Sequence, residues 1–192
     1  VEMTAEEKTR FEGAVQKAIQ LGQERIAANP RDPEALYALG VANVHRASYA
    51  YLVKKSWREA LSGASSARKF HQRALEANPS LADALLLPSV HDYIVGSLPA
   101  WVKAVVFLAG FRGDKEGGLR GIERVAREGR SVQVEGQVIL SLFYRREKQI
   151  DRAMPILIAL AARFPSNYLY RMELTRQLLE AGRAQDALRE LA

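Results

Sequence analysis

Three histidines, a run of serines, one glycine-rich turn and several Lys/Arg pairs are the residues of this sequence whose types and spacing could do chemistry. A histidine metal site needs three or four ligands that converge. His45, His71 and His91 are far apart in sequence, and His91-Asp92 are adjacent, so they cannot chelate from one helix face. The chain has 0 Cys, which removes disulfides, thiolate zinc sites and cysteine nucleophiles. Ser62, Ser65 and Ser66 lie in a helical stretch without the glycines of a nucleophile elbow. Gly113-Asp114-Lys115-Glu116-Gly117-Gly118 is neither GxGxxG nor a phosphate loop, and no strand precedes it. It reads as a turn and a helix start, with Gly118 at a close helix crossing. Carboxylates are spread along solvated faces, and no pair stands out as acid and base. No catalytic, metal or cofactor site is expected.

The basic residues call for a separate comparison. Lys54-Lys55, Arg68-Lys69 and Arg145-Arg146 are the main pairs, and the formal net charge is +6. A nucleic-acid groove needs denser basic clusters with interleaved aromatics. The charge reads as a solubilising surface, and no nucleic-acid partner is expected. Apolar residues make up 48% and charged residues 26%, ordinary values for a folded soluble protein. No signal peptide is visible, and Val1 stands where Met would begin a chain, which points to an upstream segment able to carry a targeting sequence.

The elements that must position these residues are helices. Residues 4–28 carry Phe11, Val15, Ala18, Ile19 and Ile26 at helical spacing, with Thr4 and Glu7 as a capping box. Asn29-Pro30 stops that helix, since the residue before proline is pushed out of the α region. Asp32-Pro33 then opens the next, with Asp as N-cap and Pro in the first turn. The stop recurs as Ala-Asn-Pro at 77–79 and Arg-Phe-Pro at 163–165, each followed by a new periodic run. Between Ser131 and Pro165 the unit is a helix, a polar turn at 146–149, and a second helix.

This unit resembles the tetratricopeptide repeat, close to that family's roughly 34-residue period. Leu140 and Tyr144 take the large apolar and aromatic positions of the first helix, Ala153 the small crossing position and Pro165 the terminal proline. Leu174, Leu178, Gly182 and Ala187 correspond in the next unit. Leu36, Leu39 and Gly40, then Ala67, Ala74 and Pro79, correspond in the unit from Pro33. That unit exceeds the family length by about 13 to 15 residues, which predicts two helices each extended by about two turns with a bend near 54–57. The unit from Leu81 is also stretched, with its second helix beginning near Asp114 and residues 98–111 inserted before it. Ser97-Leu98-Pro99, Lys103, Phe107, Gly110-Phe111, Gly113-Asp114-Lys115 and Gly118-Leu119 resemble a signature of the eukaryotic inclusion-body-clearance family of tetratricopeptide proteins, which is linked to mitochondrial outer membranes and lipid droplets. Elsewhere the chain resembles generic repeats.

Within the insert, Pro99 fits the first turn of a short helix over 100–109, with Ser97 as N-cap and Gly110 in the left-handed conformation at its end. Trp101, Val102, Val105, Val106 and Leu108 make it apolar on nearly every side. Such a helix must be buried or must meet a partner. We read it as a plug between the long hairpin and the hairpin after it. Its rivals are a membrane or partner surface and an apolar small-ligand pocket. A transmembrane span over 93–111 is not expected, because Gly96, Pro99, Lys103 and Gly110 interrupt it.

The expected fold is all-α: a right-handed solenoid of antiparallel hairpins, about four and a half of them. A single domain over 1–192 divides into 4–30 (the second helix of a preceding repeat), 33–79, 81–130 with the insert, 131–165 and 166–192. Its expected role is non-enzymatic protein or peptide binding. The resemblance places the site on the concave face, lined by Tyr37, Val41, His45, Leu86, Val90, Tyr93, Val138, Leu142, Arg145, Met172 and Arg176. Tyr37, Ala38 and Val41 stand where a chaperone-carboxylate groove needs Lys and Asn, so that ligand is not expected.

Overall fold

The computed structural model describes residues 3–108 and 110–191. The helices are α1 (Ala5–Ala28), α2 (Pro33–Leu52), α3 (Trp57–Ala77), α4 (Leu86–Gly96), α5 (Ala100–Leu108), α6 (Lys115–Glu128), α7 (Gln133–Arg146), α8 (Ile150–Arg163), α9 (Tyr168–Glu180) and α10 (Ala184–Leu191). A 3-10 turn, Ala82–Leu85, leads into α4. No strand occurs among the described residues. The chain forms two compact units, one ending at His91 and the other beginning at Asp92.

Local chemistry sets the boundaries. The Thr4 side chain accepts from the Glu7 N–H while the Thr4 N–H donates to Glu7 Oε2 at 2.7 Å, closing the capping box. Asp32 caps α2 through the Ala35 N–H, and Asp114 caps α6 through the Gly117 N–H. The expected bend between the long helices falls at 53–56, with Lys55 at φ 55°. Lys148, at φ 57°, turns α7 into α8. Gly110 takes φ 84° as expected, while Ala109, the expected last residue of α5, lies outside the described residues.

One cap is corrected. The first helical bond of α5 runs from the Lys103 N–H to the Pro99 carbonyl at 2.9 Å, so Pro99 itself is the cap. Ser97 lies two residues too early to cap it.

In the first unit α1 packs on α2 and α2 on α3. Leu36, Ala74 and Ala84 form its buried centre, with Ile26, Tyr37 and Phe70 against it. Gly40 lets His71 close over α2: a Cβ there would meet the imidazole at 2.8 Å. His71 is buried as a packing residue, with Nδ1 donating to the Ala67 carbonyl at 2.9 Å. Of the apolar face expected for α1, Ala18 is exposed and Gly22 is buried instead, against Leu39. In the second unit α6 to α10 pack each on the next in chain order. Leu157, Leu174, Leu178 and Ala187 form one core with Met154 beside it. Every repeat position named above as large apolar or small crossing is buried, from Leu36 and Ala67 to Ala153 and Ala187.

Candidate partner-binding surfaces

The expected concave-face residues differ in what the fold makes of them. On α2, Tyr37 is half-buried with its ring 5.5 Å from that of His71. Val41 is half-buried, and His45 is exposed with its ring edge-on to Phe11 at 6.5 Å. On α4, Leu86 and Val90 are half-buried.

Tyr93 is not a surface residue. It is 0% exposed, stacked on Phe143 with ring centroids 3.6 Å apart. Its hydroxyl donates to Glu147 Oε1 at 2.8 Å. Repeat register places this position on a groove; here Phe143 covers the ring.

The register is most productive on α7 and α9. Val138 is half-buried, whereas Leu142 and Met172 are 41% and 55% exposed. The Arg145 guanidinium donates from Nε and a terminal nitrogen to the two carboxylate oxygens of Glu180, at 2.8 and 2.7 Å. It also reaches Glu173 at 3.5 Å. Arg176 donates to the same Glu180 at 3.2 Å. Arg145, followed by burial opposing it and then by Arg176, sets the Glu180 carboxyl below the usual carboxylate range. The fold therefore brings Arg145 and Arg176 together on one acidic residue, which sequence reading did not anticipate. Arg145 is an inter-repeat clasp and not a free cation, while Arg176 keeps a 60% exposed side chain.

A second arrangement was missed altogether. Three tyrosines each lie with a glutamate and a cation. Tyr93 shares Glu147 with Lys115. The Tyr144 hydroxyl donates to Glu123, which also pairs with Arg152, whose guanidinium lies 4.2 Å from the Tyr144 ring centre. Lys54 pairs with Glu12 and lies 5.6 Å from the Tyr49 ring centre. Burial first, then the glutamate hydrogen bond, pushes Tyr93 and Tyr144 up to about 12. Such phenols keep their protons at neutral pH and serve as packing groups with a satisfied hydroxyl, not as bases. The partners lie 54 and 21 residues apart in sequence, so no local pattern marks them.

The insert corrects a further expectation. No described residue of α5 is buried. Trp101 is 75% exposed and Leu108 86%, with Val105 and Phe107 also exposed. The plug reading therefore fails: the half-buried side of α5 is supplied by Val102 and Val106 alone, and the helix is too short to hide the rest. Among the described residues no helix is long and apolar enough to cross a membrane. Nor does any group of three His, Asp or Glu there stand ready to hold a metal ion.

Concavities lie beside both the long hairpin and the insert. One, of about 420 Å³, lies between α1, α2 and the bend, with Phe11, Val15 and Ile19 as its floor and Glu12, Arg46 and Lys54 at its edges. The other, of about 250 Å³, lies in the second unit behind α5.

No family model matches the chain, and no curated protein does. Among solved structures, the crystal structure of MamA superposes with a TM-score of 0.61 and 14% identity, covering 99% of this chain and 92% of that one. At that identity the likeness concerns the fold. MamA is a tetratricopeptide-repeat protein, and this chain shares its all-helical repeat architecture.

Proposed function

We propose that the chain is a non-enzymatic, protein-binding helical-repeat module, and that it takes a peptide segment on the first-helix face of its last two repeats. The observation that carries this reading is the exposure of Leu142 on α7 and Met172 on α9, each about one helical turn before an arginine of the Arg145–Glu180–Arg176 cluster. Exposed large apolar side chains on neighbouring first helices provide anchors that release water when a partner covers them. The clasp holds α7 against α9, so the anchors are pre-positioned and little ordering cost remains for binding. Arg176 offers guanidinium donors beside them, which favours a segment with apolar side chains and a nearby carboxylate. Tyr37, Val41, His45, Leu86, Val90 and Val138 belong to the same reading as a wider lining, with Tyr93 removed from it. The likeness of residues 97–119 to the inclusion-body-clearance family is also part of the proposal. Its support is that Gly110 takes a positive φ and that a Cβ at Gly113 would strike the end of α4.

Panning a displayed random-peptide library against the protein tests this reading. Selected peptides should bind saturably to the wild type and at least tenfold more weakly, about 1.4 kcal/mol, to a Leu142→Asp, Met172→Asp variant of unchanged helicity. Equal binding by that variant would remove the site from α7 and α9.

A further inference from the structure

The cavity behind α5 has a composition that nothing in the repeat fold requires. Val95 from α4, Val106 and Phe107 from α5, and Phe111 from the following loop supply its apolar lining. Lys103 and Arg112 are its charged residues, and among the described residues no acidic side chain lines it. Neither cation has an ion-pair partner among the described residues. The Arg112 guanidinium instead lies 5.1 Å from the Phe107 ring centre, above the apolar wall. From Leu98 to Gly113 the sequence contains no Asp or Glu at all.

The pocket is also built rather than incidental. The loop after α5 is pressed onto the end of α4 at two glycines. A Cβ on Gly113 would strike the Gly96 backbone, the Val95 side chain at 2.7 Å and the Asp92 carbonyl at 2.8 Å. A Cβ on Gly96 would strike the Lys115 backbone. This contact fixes Phe111 and Arg112 relative to Val95.

We propose that this cavity binds a small amphiphile with an anionic head, a carboxylate or phosphate monoester on a short alkyl chain or single ring. The head lies between Lys103 and Arg112, whose donors fit carboxylate and phosphate oxygens. The tail lies on Val95, Val106 and Phe111. A volume of about 250 Å³ falls just below the roughly 300 Å³ at which drug-sized sites begin, so a long acyl chain does not fit. The proposal is independent of peptide binding on α7 and α9.

Calorimetric titration of the whole chain with octyl phosphate, octanoate, octanol and inorganic phosphate tests it, with vesicles of phosphatidylcholine and phosphatidylglycerol as a further arm. Saturable one-to-one binding of octyl phosphate or octanoate is expected, with octanol and inorganic phosphate each at least tenfold weaker. Lys103→Ala with Arg112→Ala should weaken the anionic ligands at least tenfold while leaving octanol unchanged. Val106→Trp, which fills the cavity, should abolish binding of all three alkyl ligands. The library-selected peptides should bind all these variants normally. The proposal is overturned if octanol binds as tightly as octyl phosphate, if the double variant binds like the wild type, or if only the vesicles bind.

Discussion

Burial first and the hydrogen bond to Glu147 second raise the Tyr93 phenol from 10.0 to about 12. A group that binds its proton more tightly in the folded state contributes stability that is lost once the unfolded state begins to release that proton. That contribution is complete below pH 10, where both states are protonated, and is lost as pH climbs through about 12. Tyr144 acts in the same window for the same reasons. Thermal unfolding should therefore fall steeply between pH 10 and 12, and Tyr93→Phe with Tyr144→Phe should flatten that fall. Glu147 runs the other way. Lys115, then Tyr93, lower its pKa against the opposing effect of burial, so its contribution is present above 4.5 and fades as pH drops. Ala153 tests packing rather than charge. It is 0% exposed at the crossing of α7 and α8, and Ala153→Leu should overpack that crossing by about 1 to 3 kcal/mol, read from denaturant unfolding. An unchanged midpoint would mean that the crossing lies elsewhere.

At the scale of the element, α5 separates what hydrophobicity implies from what packing delivers. A helix apolar all round is expected inside a core, yet Trp101 stands 75% exposed. Trp101→Ala should therefore change stability by no more than about 0.5 kcal/mol, the usual range for surface substitutions. In a Trp57→Phe background its emission should be red-shifted and readily quenched by iodide. A blue-shifted, protected emission, or a loss of several kcal/mol, would return α5 to the core. The long hairpin shows the opposite case: the extra length read between Asn43 and Ala67 is taken up by α2 and α3, which pack along each other. Helix extension keeps every backbone group bonded, whereas a loop of that length would not.

At the scale of the molecule, many of the cations behind the net charge of +6 are held in ion pairs. Arg25, Arg124, Arg145, Arg152 and Arg183 each face a carboxylate within 3 Å. Random duplex DNA should consequently be retarded weakly at about 50 mM salt and not at about 200 mM, because only a few phosphate contacts form. Retention at the higher salt would reveal a basic surface that the ion pairs conceal.

The sequence alone determined the helical class, the hairpin stops, the Thr4 and Asp32 caps and the buried register from Leu36 to Ala187. These depend on proline geometry, side-chain capping and a period of about 3.6 residues, all local properties. Only the tertiary structure decided that Glu180 joins Arg145 and Arg176, that Phe143 covers Tyr93 and that α5 faces outward. Each of those depends on which distant residue arrives at a given surface. A hydrophobic pattern states that a side chain prefers company, but the neighbour that supplies it is chosen by the packing of helices far apart in the chain.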